Sequence, residues 1–217
     1  MLIRELNARK GTILPRTVRQ NLCQRMQGKK GMGVLGARDV LLNWTIGSMP
    51  MIAEEYGVKL QVIDGIQHYR FGFVQAENLI RVSNTDNFAE DPGKKMIALF
   101  TSVHDIGRMM VGSGASVDRY PGQSNFLHPV VGAMMLREAF EPVMRELAND
   151  IVNLLNALVT TAERHTLSIG LTASQVEKQR ISEIEVSPYH LSRGALLMAD
   201  VEMGKYGKYA HLVALAD

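Results

Sequence analysis

Residues 96–108 have the sequence MIALFTSVHDIGR, and this stretch carries the clearest helical and chemical signals in the chain. His104 follows Ile97 and Phe100 at helical spacing, so its ring is expected to point toward the core. Asp105 lies about 100° further round the same helix. Because a buried carboxylate beside a buried imidazole is costly unless it is paired or bound to a metal, the stretch predicts an internal polar site.

Four further histidine or aspartate residues lie either on a predicted inward face of a helix or near a predicted helix end. His165 continues an apolar stripe whose members are three or four residues apart. The stripe consists of Leu147, Ile151, Leu154, Leu158 and Ala162. His68 shares a helical face with small residues, His128 stands at a predicted helix start, and Asp200 ends an apolar run. Each of them alone has a structural explanation, but together they suggest one common site.

The shared chemistry of these side chains indicates a metal site. Neutral imidazole and carboxylate groups are the ligands of borderline divalent metals such as Fe, Mn, Co, Ni and Zn. The chain has a single cysteine, so no thiolate cluster competes for the role. A helical bundle without metal would require six such residues to be placed by coincidence.

Hydrophobic periodicity along the rest of the chain predicts an all-α protein. Residues 58–62 alternate and form the one candidate strand, while the glycine-rich residues 28–36 and 112–125 are predicted to be loops. Asp91 and Pro92 are suited to the start of a helix, and Pro142 is predicted to separate two helices. The predicted helices cover residues 39–56, 68–82, 91–104, 128–141, 142–165 and 187–200.

Length and composition predict an ordinary globular protein of the cytoplasm. The chain has 217 residues, of which 46% are hydrophobic and 21% charged, as in typical globular proteins. No apolar run approaches the roughly 18 residues that span a bilayer, and the basic N-terminus lacks the apolar segment of a signal peptide. Cys23 cannot form an internal disulfide, which favours a reducing compartment.

Charge is distributed unevenly along the chain. Residues 1–40 hold nine basic and two acidic side chains, a net charge of +7, whereas residues 41–217 have a net charge of −5. This predicts a basic N-terminal extension (1–40) that could contact nucleic acid or a polyphosphate, followed by one helical domain (41–217). The alternative is that the extension packs on the helical body or on a second subunit, with its charges in water.

Residues 96–108 resemble the signature of the HD-domain superfamily of metal-dependent phosphohydrolases. The resemblance extends in order over roughly residues 60–205. The residues that carry it are His68, His104, Asp105, His128 before Pro129, His165 at the end of a long helix, and Asp200 after Ala199. It implies an HD-domain-like helical bundle with the basic extension at its N-terminus.

The resemblance also implies one or two divalent metal ions, which could be Fe, Mn, Co, Ni, Zn or Mg. In the two-metal scheme Asp105 bridges both ions. One ion takes His68, His104 and Asp200, and the other takes His128 and His165. Relatives with two metals often carry a His-His doublet where this chain has His165 and Thr166. In mononuclear relatives the middle histidines contact substrate phosphate instead. The expected catalytic residues are Asp105 and His128.

The function that the resemblance implies is hydrolysis of a nucleotide phosphomonoester or phosphoanhydride by metal-activated water. Arg108 stands where relatives often carry lysine, and it could contact the substrate phosphate. Further candidates for phosphate contact are Arg119, Lys205 and Lys208.

Two other functional classes remain open from the sequence. A nuclease or a cyclic-(di)nucleotide phosphodiesterase would make use of the basic extension. A non-catalytic regulatory HD domain would hold metal only for folding. No sequence feature selects the base, the sugar, the phosphate count, the metal or the oligomeric state, and the chain could form a homo-oligomer.

Overall fold

The computed structural model describes residues 12–27, 31–58, 92–111, 124–165 and 203–216. Within these ranges the chain is helical and contains no strand, as predicted for an all-α protein. The helices are α1 (Arg16–Met26), α2 (Val34–Glu55), α3 (Pro92–His104), α4 (Arg108–Val111), α5 (Ser124–Met144), α6 (Asn149–Arg164) and α7 (Gly207–Ala216). A 3₁₀ turn, Gly204–Tyr206, precedes α7. Among the described helices, none is both long and apolar enough to cross a bilayer.

Some predicted elements lie outside the described residues. They are the helix over residues 68–82, the strand beyond Val58, and the helix that approaches Asp200.

The core forms where α2, α3, α5 and α6 pack on one another. The contact of α5 with α6 is the most extensive, and α3 packs against both α2 and α6. Trp44 on α2 and Phe140 on α5 are fully buried, with ring centroids 6.0 Å apart. Burying an aromatic or large aliphatic side chain stabilises the fold by about 1.5–3 kcal/mol, so these contacts hold the helices at fixed positions.

The C-terminal helix docks on α3 through aromatic rings. Phe100, one turn before His104, lies 6.4 Å from Tyr206 and 5.5 Å from Tyr209, measured between ring centroids. The Tyr206 hydroxyl donates a hydrogen bond to the Asp150 carbonyl oxygen, 3.2 Å away, at the start of α6. The 3₁₀ turn and α7 therefore join α3 to the N-terminal end of α6.

The described part of the basic N-terminal region packs on the helical body. Val18, Leu22 and Met26 on α1 are buried in the same hydrophobic core as α2 and α5. Trp44 on α2 donates a hydrogen bond from Nε1 to the Val18 carbonyl oxygen, 3.0 Å away. Over residues 12–27 the segment is thus part of the body, and its Arg16 and Arg25 side chains are exposed.

Glu138 on α5 fastens the chain ahead of α1. Its Oε2 accepts hydrogen bonds from the backbone N–H groups of Ile13 and Leu14, and its Oε1 lies 3.1 Å from Arg19 Nε. The Tyr56 hydroxyl donates to the Ile13 carbonyl oxygen. Since hydrogen bonds to an ionised carboxylate are roughly twice as strong as neutral ones, Glu138 ties this segment firmly to α5.

The predicted helix break at Pro142 is wrong. Helix α5 continues through Pro142 to Met144, and α6 begins only at Asn149. A proline costs about 3 kcal/mol inside a helix because it lacks an N–H group and clashes with the preceding turn. Here Phe140 and Val143 are buried on either side of it, and their packing keeps the last turn helical.

The starts of two helices also differ from prediction. Helix α2 begins at Val34 rather than residue 39, so the glycine-rich loop is shorter and Gly36 is helical. Helix α5 begins at Ser124, four residues before His128. A helical glycine costs about 1 kcal/mol relative to alanine, and the burial of Ala37 and Leu41 on the same helix offsets that cost.

Candidate metal centre

Four of the six predicted metal ligands lie together in the interior of the bundle. They are His104, Asp105, His128 and His165, and all four are buried. His104 ends α3, Asp105 begins the turn after it, His128 lies in the second turn of α5, and His165 directly follows α6. The expectation that His104 and His165 point into the core is confirmed. His68 and Asp200 lie outside the described residues.

Asp105 is the centre of this cluster, and its two oxygens face different histidines. Oδ1 lies 3.2 Å from His128 Nε2 and 3.4 Å from His165 Nε2. Oδ2 lies 3.5 Å from His104 Nε2. The Nε2 atoms of His128 and His165 are themselves 3.0 Å apart. One carboxylate therefore joins histidines from three separate helical elements.

Backbone carbonyls set the orientation of two of the rings. His104 Nδ1 contacts the Thr101 carbonyl oxygen, and His165 Nδ1 lies 3.0 Å from the Ala162 carbonyl oxygen. A carbonyl oxygen only accepts hydrogen bonds, so each Nδ1 carries the proton. A ring with its only proton on Nδ1 presents the lone pair of Nε2 toward Asp105, which suits a cation between them. Sequence reasoning missed these two carbonyls, although each stands three residues before its histidine, within reach on a helix.

The donor set fits a divalent metal ion. Ligand atoms about 2.1 Å from an ion are about 3.0 Å apart in an octahedron and about 3.4 Å apart in a tetrahedron. The atoms Asp105 Oδ1, His128 Nε2 and His165 Nε2 are 3.0, 3.2 and 3.4 Å apart, within this range. Ligand atoms of His104, Asp105 and His165 also lie within 4.8 Å of one another. This buried cluster could therefore hold a metal ion.

Arg108 reaches the same carboxylate from the first residue of α4. Its Nε donates a hydrogen bond to Asp105 Oδ1 over 2.8 Å, and only 13% of its side chain is exposed. Arg108, predicted to contact phosphate, thus lies against the central carboxylate, and its side chain is more exposed than that of Asp105. No part of the sequence pattern indicated this pairing, although a spacing of three residues permits it.

Of the other predicted phosphate contacts, Lys205 and Lys208 are described, and each contacts a group outside the cluster. Lys205 lies 3.2 Å from Asp150 at the start of α6, and both side chains are exposed. His165 follows the opposite end of α6, about 20 Å away along the helix axis. Lys208 is exposed, with Nζ 5.0 Å from the centroid of the Tyr209 ring. Arg119 lies outside the described residues.

A contact between two glycines brings the Asp105 turn against α5. A Cβ atom added at Gly107 would lie 2.0 Å from the His128 carbonyl oxygen and 2.7 Å from the Gly132 backbone nitrogen. A Cβ added at Gly132 would lie 3.2 Å from the Gly107 backbone nitrogen. Only glycine permits the backbones to approach so closely, and this approach puts Asp105 within reach of the His128 ring.

Burial sets the protonation state of His128. Loss of hydration lowers the pKa of the His128 ring from 6.5 to about 4, although Asp105 opposes the shift. The ring is therefore neutral at neutral pH, which is the form that binds metal.

Acidification should destabilise the metal-free protein through His128. Between about pH 6.5 and pH 4 the unfolded chain binds a proton at His128 that the folded chain does not. The free energy of unfolding should therefore decrease as the pH is lowered through this window, by about 3 kcal/mol from this group. Denaturant unfolding with excess chelator should show a shallower fall for His128→Gln. If the free energy of unfolding depended equally on pH in wild type and His128→Gln, the lowered pKa of His128 would be contradicted.

Comparison with known proteins adds no assignment to this geometry. No protein-family model matches the chain, and no significant similarity connects it to a curated protein or to a solved structure. Any function must therefore be argued from the residues of the cluster themselves.

Proposed function

We propose that this protein is a metal-dependent phosphohydrolase of the HD-domain type that acts on a nucleotide. The observation that carries the proposal is the central position of Asp105. Its Oδ1 faces His128 and His165 while its Oδ2 faces His104, an arrangement suited to a carboxylate shared between two cation positions. The order of these residues along the chain, matching the resemblance described above, supports the same conclusion.

The residues of the cluster would bind the metal ions, and nearby backbone carbonyls would orient the rings. His128 and His165, with Asp105 Oδ1, would hold one ion, and His104 with Asp105 Oδ2 would contribute to a second. A bound divalent ion would lower the pKa of a coordinated water toward neutrality and polarise a phosphoryl oxygen. The Thr101 and Ala162 carbonyls would keep the rings of His104 and His165 in the ligating tautomer.

Arg108 would supply positive charge beside the cluster. Its guanidinium already contacts the central carboxylate. A guanidinium suits phosphate oxygens because it presents several fixed donors and stays charged. Lys205 would not take part from its observed position beside Asp150.

Metal loading followed by a hydrolysis screen tests the proposal. Purified protein should be stripped with chelator and reloaded separately with Mn, Fe, Co, Ni, Zn or Mg, and its metal content measured. We expect one to two equivalents per chain and release of phosphate from at least one nucleoside mono- or polyphosphate. Cyclic nucleotides, cyclic dinucleotides and oligonucleotides should be included, because their preferential cleavage would point to a phosphodiesterase or nuclease.

The outcomes separate the functional classes. Metal binding without hydrolysis of any of these substrates would contradict the enzyme and leave a regulatory metal-binding domain. Failure to retain any of the metals would contradict the metal centre itself.

A further inference from the structure

The Asp105 carboxylate oxygen Oδ1 is shared by a fixed cation and two imidazoles. Arg108 Nε lies 2.8 Å from it, His128 Nε2 lies 3.2 Å from it, and His165 Nε2 lies 3.4 Å from it. Arg108 stands three residues after Asp105, and its side chain is mostly buried. The guanidinium therefore occupies the same oxygen that a metal ion ligated by the two histidines would need.

The Arg108 guanidinium and a metal ion bound at Asp105 Oδ1 would repel each other. A carboxylate oxygen has room for few partners, and a divalent ion on Oδ1 would stand only a few ångströms from the guanidinium. At that distance, and with only 13% of the Arg108 side chain exposed, solvent screens the repulsion weakly. Arginine cannot relieve it by losing a proton, since its charge is permanent.

We propose that Arg108 competes with the metal ion for Asp105 Oδ1 and thereby sets how tightly the centre holds metal. The inference rests on the metal centre of the proposed function but does not depend on hydrolysis. An oxyanion that draws the guanidinium to itself weakens the competition, so phosphate or sulfate and metal should favour each other's binding.

Metal titration of the full-length protein tests the competition. Stripped wild type and Arg108→Gln should be titrated with Mn²⁺ by calorimetry. We expect the variant to bind Mn²⁺ at least about tenfold more tightly, because it lacks the opposing charge. Arg108→Lys keeps the charge and should stay within about threefold of wild type. Lys205→Gln removes an exposed lysine paired with Asp150 and should leave the affinity unchanged.

The direction of the effect distinguishes competition from a structural role. If Arg108 only held Asp105 in place, its removal would weaken Mn²⁺ binding, and equal or weaker binding by Arg108→Gln overturns the proposal. Circular dichroism should accompany each titration to establish that the variants are folded.

A second measurement needs no variant. Replacing chloride with sulfate at constant ionic strength should tighten Mn²⁺ binding to the wild type about fivefold, and no effect would overturn the proposal. Arg108→Gln, where folded, should not respond to sulfate. Competition without nucleotide hydrolysis would reject the enzyme and keep this inference, whereas absence of Mn²⁺ binding in every protein would reject both.

Discussion

Replacement of Asp105 by asparagine should abolish metal binding and, with it, hydrolysis. Asp105 is the one anionic member of the described cluster, and both of its oxygens face histidine Nε2 atoms. The amide has a similar shape but no charge, so three imidazoles and the Arg108 guanidinium would remain. We expect the affinity for Mn²⁺ to fall about a hundredfold or more, since imidazoles and a carboxylate together make the site.

Asp150→Asn is the matched control. Asp150 is also an aspartate in contact with a basic side chain, but it is exposed and pairs with Lys205 at the far end of α6. Its replacement should leave metal content and hydrolysis unchanged, because exposed ion pairs contribute little to stability. Metal content should be measured by elemental analysis on protein shown to be folded. Stoichiometric metal in Asp105→Asn would remove Asp105 from the centre.

Replacement of Gly107 by alanine should destabilise the protein by at least about 3 kcal/mol, at the upper end of the range for overpacked sites. The new Cβ would stand 2.0 Å from the His128 carbonyl oxygen, and neither backbone can move without separating the Asp105 turn from α5. Because the same contact puts Asp105 beside His128, metal affinity should fall together with stability. Denaturant unfolding of the metal-free protein measures the stability, and metal titration measures the metal affinity.

Two other glycines provide a graded comparison. Gly132→Ala should have a smaller effect, since its Cβ would lie 3.2 Å from the Gly107 nitrogen and 3.4 Å from the Ile106 Cγ2 atom. Gly47 lies inside α2 with no atom within 4 Å of an added Cβ. Alanine there should stabilise the protein by about 0.5–1 kcal/mol. If Gly107→Ala were as stable as Gly47→Ala, the close approach of the turn and α5 would be contradicted.

Patterns within single helices were predictable from the sequence. Ile97, Phe100 and His104 share a face because residues three and four apart lie on one side of a helix, and that side is buried. The apolar stripe that ends at His165 placed its ring in the interior for the same reason. Both are local properties, since a helix of known period fixes which side chains point the same way.

Some helix boundaries could not be predicted locally. Proline chemistry indicates a break at Pro142, yet packing on both sides of it keeps α5 helical to Met144. Charge alone also left open whether the basic N-terminal region packs on the helical body. The buried face of α1 and the contacts of Glu138 attach residues 12–27 to the body.

By itself the sequence determined the helical class, the inward direction of His104 and His165, and the kind of side chain available for a metal. Only the tertiary structure decided which of these groups meet. Asp105 and His128 come together because Gly107 lets two backbones approach, and Arg108 turns to Asp105 while Lys205 stays with Asp150. The physical reason is that helical periodicity acts over a few residues, whereas contacts between helices depend on packing across the whole fold.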